Sequence, residues 1–143
     1  MTEGGDLNTA RGSLAGSGTS TLALGIGGDA PPHVANVESW NGSSWTEVSD
    51  LNTAREDLAA SKQNTISTLA FGGTSPARAL TEDWNGNNWT EVGDLNTARD
   101  LLAGAGATGN TAALAFGGET SPGVSNLTED WSGSSLTSKV LTD

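Results

Sequence analysis

The hexapeptide Asp-Leu-Asn-Thr-Ala-Arg occurs three times, at Asp6, Asp50 and Asp94, which writes a 44-residue period into a chain of 143 residues. Between the copies the same features recur. An apolar run closes on paired glycines (Gly27-Gly28, Gly72-Gly73, Gly117-Gly118), an acidic stretch leads to a Trp, and a turn with Gly or Ser follows; in the first two copies a second Trp and Thr-Glu-Val come next. A period of this length made of short strand-like pieces means a repeat architecture, because one unit cannot bury its own apolar face and must stack on a neighbour. Three periods nearly fill the chain, so little is left for a second domain.

Twenty glycines and abundant Ser, Thr and Asn would suggest disorder if the apolar residues were scattered. They gather instead in runs such as Thr68-Leu69-Ala70-Phe71, which predicts a folded, all-β chain. The absence of Cys excludes disulfides and thiolate metal sites. Six basic against 17 acidic residues give a net charge of -11. That field repels phosphate backbones, so no nucleic-acid partner is expected, and it suits solubility and suppression of sheet-edge association. No apolar window is long enough to cross a membrane, and residues 1–12 lack the basic start and apolar stretch of a signal peptide. Membrane insertion is therefore not expected, and the compartment is left open.

The middle copy predicts four strands. Asp57 to Ser61 is small and partly apolar, suited to an inner strand beside a crowded axis. After the polar turn Lys62-Gln63-Asn64-Thr65, Ile66 to Phe71 forms a second strand ending at Gly72-Gly73, where missing side chains allow a sharp bend or a close backbone. Thr74 to Arg78 reads as a loop and Ala79 to Trp84 as a third strand. Asn85-Gly86 supplies a pair tolerant of positive φ in a tight hairpin, and Trp89 to Val92 is the fourth strand, with Trp89 and Glu91 on one face. Four short antiparallel strands in 44 residues is the size of a propeller blade, and no 3.6-residue periodicity supports helical repeats.

These units resemble kelch repeats. The family pattern of an Arg-led inner strand, a strand closing on Gly-Gly, an aromatic before a polar turn and a Trp a few residues later is matched by Arg55, Gly72-Gly73, Trp84 and Trp89. Arg11, Gly27-Gly28, Trp40 and Trp45 match it in the first copy, and Arg99, Gly117-Gly118 and Trp131 in the third. Leu136 replaces the second Trp of the third copy, and Trp stands where the family usually has Tyr. The resemblance covers nearly the whole chain and implies an all-β propeller: a partial outer strand and turn over residues 1–11, then blades at 12–55, 56–99 and 100–143. More narrowly, the Asn-Thr-Ala-Arg and Trp-Asn-Gly style is similar to kelch-like stretches in structural and tail proteins of marine tailed phages, which implies a virion or receptor-recognition role.

Propellers close with four to eight blades, and three leave two aromatic-bearing faces open. The expected resolution is a homodimer, two chains of three blades making a six-bladed ring. The alternative is a segment of a longer propeller. Residues Thr2 to Asp6 align with Thr90 to Asp94, so the chain begins inside a fourth-strand sequence, while Leu136 to Val140 is a weakened fourth strand for the last blade. Exchange of the amino-terminal segment between blades is expected.

Arg11, Arg55 and Arg99 are expected to brace one blade against the next through backbone carbonyls or an acid, with Trp40, Trp45, Trp84, Trp89, Trp131, Phe71 and Phe116 packed between blades. Glu82 and Asp83 point to opposite faces of a strand and cannot form a paired-carboxylate site, and the same holds for Glu129 and Asp130. Asp50 and Asp94 belong to no calcium-loop run and read as turn caps. The kelch resemblance brings oxidases and sialic-acid-processing enzymes into view. The copper-radical chemistry of the former needs Tyr, Cys and His ligands, and this chain has no Tyr, no Cys and the single His33, which reads as a solvated loop residue. No catalytic residue, cofactor or metal site is expected. The loops after Gly-Gly differ in every copy, which makes Asp29, His33, Thr74, Ser75, Arg78, Glu119, Thr120 and Ser121 the candidate binding rim, for a protein or glycan ligand. The expected function is a non-catalytic scaffold for binding or structural display. The alternatives are a carbohydrate-active domain with a cleft formed on assembly, and a designed or excised repeat without a native ligand.

Overall fold

A computed structural model describes residues 3–61, 65–74, 78–106, 111–121 and 123–133. Among these residues every regular element is a strand and none is a helix. Strands β1 (Ala15–Gly18), β2 (Ala23–Ile26), β3 (Val37–Trp40) and β4 (Trp45–Val48) form an antiparallel meander in the order β1-β2-β3-β4. Strands β5 (Ala59–Ala60), β6 (Thr68–Phe71), β7 (Thr81–Trp84) and β8 (Trp89–Glu91) repeat it. In the third copy β9 (Ala103–Gly106), β10 (Ala113–Phe116) and β13 (Thr128–Trp131) form a three-stranded sheet, and β11 (Glu119–Thr120) pairs with β12 (Gly123–Val124) as a separate hairpin. Register repeats with the sequence: Ala15 faces Ile26 as Ala59 faces Phe71, and Trp40 faces Trp45 as Trp84 faces Trp89. The expected fourth strand of the third copy, Leu136 to Val140, lies outside the described residues, as do Lys62 to Asn64.

Several local expectations are corrected. The inner strand of the second copy shrinks from Asp57–Ser61 to Ala59–Ala60, because Asp57 sits in the left-handed region at φ 52 and turns the chain before pairing starts. Ser13 and Leu101 make the same turn at φ 49 in their own copies. The Asn-Gly pair does not take positive φ at both residues. Asn41 to Ser44 form a four-residue loop in which Asn41 Oδ1 accepts from the amides of Ser43 and Ser44, and only Gly42 takes positive φ; Asn85 and Gly86 do likewise. The loop after Gly117-Gly118 contains the β11–β12 hairpin, with the Thr120 hydroxyl donating to the Gly123 carbonyl at 3.0 Å. Residues 3–6 form no strand. A methyl group on Gly5 would lie 3.3 Å from the Trp40 ring, so this segment rests on the chain's own first sheet.

The sheets stack through two apolar layers. One face of the first sheet, with Leu24, Ile26 and Val37, packs on Leu58, Ala70, Trp84 and Trp89 of the second. The opposite face of the second sheet, with Leu69 and Phe71, packs on Leu102, Ala113, Ala115 and Trp131 of the third. Leu51 and Leu95, from the repeated hexapeptide, close the respective layers. Each large side chain so covered contributes about 1.5–3 kcal/mol. Strands β1, β5 and β9 run side by side where the sheets converge. Backbone bonds join the sheets in register: Asp57 N donates to Ser13 O and Leu101 N to Asp57 O, both at 2.9 Å, while Gly28 N donates to Arg55 O and Gly73 N to Arg99 O. The Gly-Gly pairs make this approach possible. Gly72 has φ +61, and a Cβ there would stand 2.4 Å from Arg99 O.

Candidate functional site

The hexapeptide builds an internal clamp, three times over. Arg55 follows Asn52 on the link into the second sheet, and its guanidinium reaches across the strand ends. Nη1 donates to Gly72 O at 2.6 Å and Leu80 O at 2.9 Å, and Nη2 donates to Glu82 Oε1 at 3.1 Å. The other carboxylate oxygen of Glu82 accepts from both the amide and the side chain of Asn52 at 2.8 Å, and Asn52 Nδ2 also donates to Trp89 O. Arg11 with Glu38 and Asn8, and Arg99 with Glu129 and Asn96, reproduce the arrangement. All three guanidinium groups are buried, with ion-pair distances of 3.2, 3.1 and 2.8 Å. Only their Nε atoms lack a partner among the described residues. Burial pushes the pKa of Arg11 and Arg55 down, and the facing carboxylates of Glu38 and Glu82 oppose that shift. Since the backbone of Arg55 bonds to the first sheet while its side chain grips the second, one residue serves two sheets.

These acids are consumed by the clamp. Glu38, Glu82 and Glu129 have both oxygens engaged, which leaves no free carboxylate for acid-base work. Where the inner strands converge, a depression of about 220 Å³ is lined by Ala, Gly and Leu, including Ala15, Ala59, Ala103 and Gly104, and offers no titratable group.

The rim residues are placed unequally. Asp29 exchanges backbone bonds with Gly12, Thr74 donates to Glu56 O at 2.9 Å, and Glu119 exchanges with Asp100, so the three loops are anchored alike, each to the residue following or near its own clamp Arg. Thr74 also contacts Asp57 Oδ2 at 3.3 Å. Arg78 is half-buried and held by its backbone to Gly73 and Arg99. Glu119 and Ser121 are exposed, Thr120 is half-buried, and Ser75 lies outside the described residues. His33 meets Glu56, with Nδ1 and Oε1 3.1 Å apart, and Asp29 joins them in one cluster. Glu56 was not singled out by sequence.

The aromatic residues divide in two. Trp84, Trp89, Trp131 and Phe71 are buried, whereas Trp40 and Trp45 are half-buried and Phe116 is 39% exposed. Those three lie on outward faces of this chain. Leu7, Leu14 and Trp45 border a depression of about 500 Å³ on the first sheet, and Ala105, Ala113 and Leu114 border one of about 420 Å³ on the third. The chain matches no protein-family model and no curated protein sequence.

Proposed function

We propose that the chain is a kelch-like β-propeller module without catalytic activity, three blades that two copies complete to a six-bladed ring, and that this ring is a scaffold for binding or structural display through its rim loops. One observation carries the reading. The two outward faces have the same residues, at the same repeat positions, as the two sides of the buried layers. Leu114 and Phe116 occupy the positions of Leu69 and Phe71, while Leu14, Trp40 and Trp45 occupy those of Leu58, Trp84 and Trp89. The outer face of the third sheet is therefore complementary to the outer face of the first, a head-to-tail interface that closes when the rotation allows.

Backbone groups support the same pairing. Gly118 N and Leu101 O on one face, and Arg11 O and Ser13 N on the other, lack among the described residues the inter-sheet partners that their counterparts have. The small-residue axis and the engaged clamp carboxylates favour binding over hydrolysis.

The absence of native Cys allows a clean test. Ser17 Oγ donates to Ser61 O at 3.0 Å across the first layer, so the Ser17→Cys, Ser61→Cys variant should form a disulfide within one chain. Ala105 is the next repeat position. Ser17→Cys with Ala105→Cys should give a covalent two-chain species on a non-reducing gel, and each single variant should not. A double variant that stays single-chain while the Ser17–Ser61 control oxidises would refute the ring.

A further inference from the structure

We propose that Asp29, His33 and Glu56 form a binding site for one divalent transition-metal ion, which pins the first rim loop to the start of the second sheet. One imidazole nitrogen and two carboxylates offer ligand atoms that all lie within 4.8 Å of one another. Ligands about 2.0–2.2 Å from a tetrahedral ion stand roughly 3.4 Å apart, so small side-chain rotations close the set, and a water completes it.

The second observation is the state of His33 itself. Its Nδ1 is shielded from solvent and has no hydrogen-bond partner among the described residues, although Glu56 Oε1 is only 3.1 Å away. The two atoms are close without being aligned as donor and acceptor. Such a nitrogen, when unprotonated, presents a lone pair beside two carboxylates and out of water, a setting suited to a cation. A plain His–Glu ion pair at this half-exposed rim would be worth little.

The backbone fixes each ligand. Asp29 donates to Gly12 O at 2.9 Å and accepts from Gly12 N at 3.0 Å, it bridges to His33 across the loop, and Glu56 O accepts from Thr74 N at 2.9 Å. The nitrogen ligand selects Zn²⁺ or a neighbouring first-row ion over Ca²⁺ or Mg²⁺, which prefer all-oxygen sites. The site is specific to the first repeat. Thr74 and Asp100 stand where Asp29 and Glu56 do, and the second loop has no His. The inference rests on these three side chains and holds for one copy or two.

The test is calorimetric titration of the chelator-treated full chain with zinc chloride, with calcium chloride as comparator, alongside the visible spectrum with cobalt chloride. One Zn²⁺ per chain is expected, with weaker or no Ca²⁺ binding and a low-coordinate Co²⁺ band. Zinc at about 100 times its dissociation constant should raise Tm by roughly 9 °C. His33→Ala and Glu56→Gln should each weaken binding about 10-fold or more while circular dichroism shows the fold retained. If either variant fails to fold, the wild-type stoichiometry, Co²⁺ band and Zn²⁺-over-Ca²⁺ preference still decide. No saturable Zn²⁺ binding, equal Ca²⁺ binding, or a folded His33→Ala that binds unchanged would overturn the site.

Discussion

The layer between the second and third sheets and the outward face of the third sheet are made from the same sequence, yet one is dry and the other is not. Leu69 and Phe71 are 0% and 2% exposed, whereas Leu114 and Phe116 at the equivalent positions are 38% and 39% exposed. The Trp pairs differ in the same way. Trp84 and Trp89 pack with ring centroids 5.3 Å apart and are buried, and Trp40 and Trp45 keep the same geometry at 5.4 Å while half-open. Geometry within a sheet is thus set by the sheet, through cross-strand pairing and the Asn-capped loop, whereas burial is set by the neighbour. A repeat encodes a surface, and only a second repeat turns it into a core.

This contrast can be broken most forcefully at the Trp positions. Trp84→Ala should cost about 3–5 kcal/mol in denaturant unfolding, since it empties a filled layer. Trp40→Ala should instead act chiefly on association, so that its effect depends on chain concentration. A loss under about 1 kcal/mol for Trp84→Ala would show that the layer is not the core. The clamp should be nearly as costly. Glu82→Gln leaves the Arg55 guanidinium buried without its counter-charge and should destabilise by about 3 kcal/mol. Because Glu38 is equally buried against Arg11, Glu38→Gln should match it, and a large inequality would mean that clamp strength depends on the neighbouring sheet.

The glycines sharpen the comparison at a smaller scale. Gly72 and Gly117 have φ of +61 and +66, but an added Cβ meets Arg99 O at 2.4 Å in the first case and nothing nearer than 3.9 Å in the second. Gly72→Ala should therefore cost about 1–3 kcal/mol more than Gly117→Ala in dilute chain. In a ring, Gly117 faces Arg11 of a second copy, so Gly117→Ala should also weaken association. The smallest effects belong to the loop caps. Asn41→Ala and Asn85→Ala should each cost about 0.5–1.5 kcal/mol and should be equal, because both loops lie away from the apolar layers.

The period made the all-β class, the strand order of the first two sheets and the carbonyl-binding role open to the clamp Arg legible before any coordinates. Less legible was why Asn8, Asn52 and Asn96 repeat. Each donates twice to a Glu 30 residues ahead, or 33 in the third copy, and that near-constant offset was the available signal. The Asn-Gly pair suggested positive φ at both residues, but side-chain acceptance by Asn41 Oδ1 competes with that solution, and local sequence does not say which wins. The cluster of Asp29, His33 and Glu56 was hidden for a different reason. Comparing copies selects what repeats, and this site joins a loop unique to the first copy with the start of the second.

Static light scattering on the full-length chain, over a range of concentrations, measures most directly whether the open faces find each other. The expected result is a folded, monodisperse species of twice the 14.4 kDa chain mass. A folded species that stays at 14.4 kDa at every concentration, or an open-ended ladder of larger masses, would contradict closure by two chains.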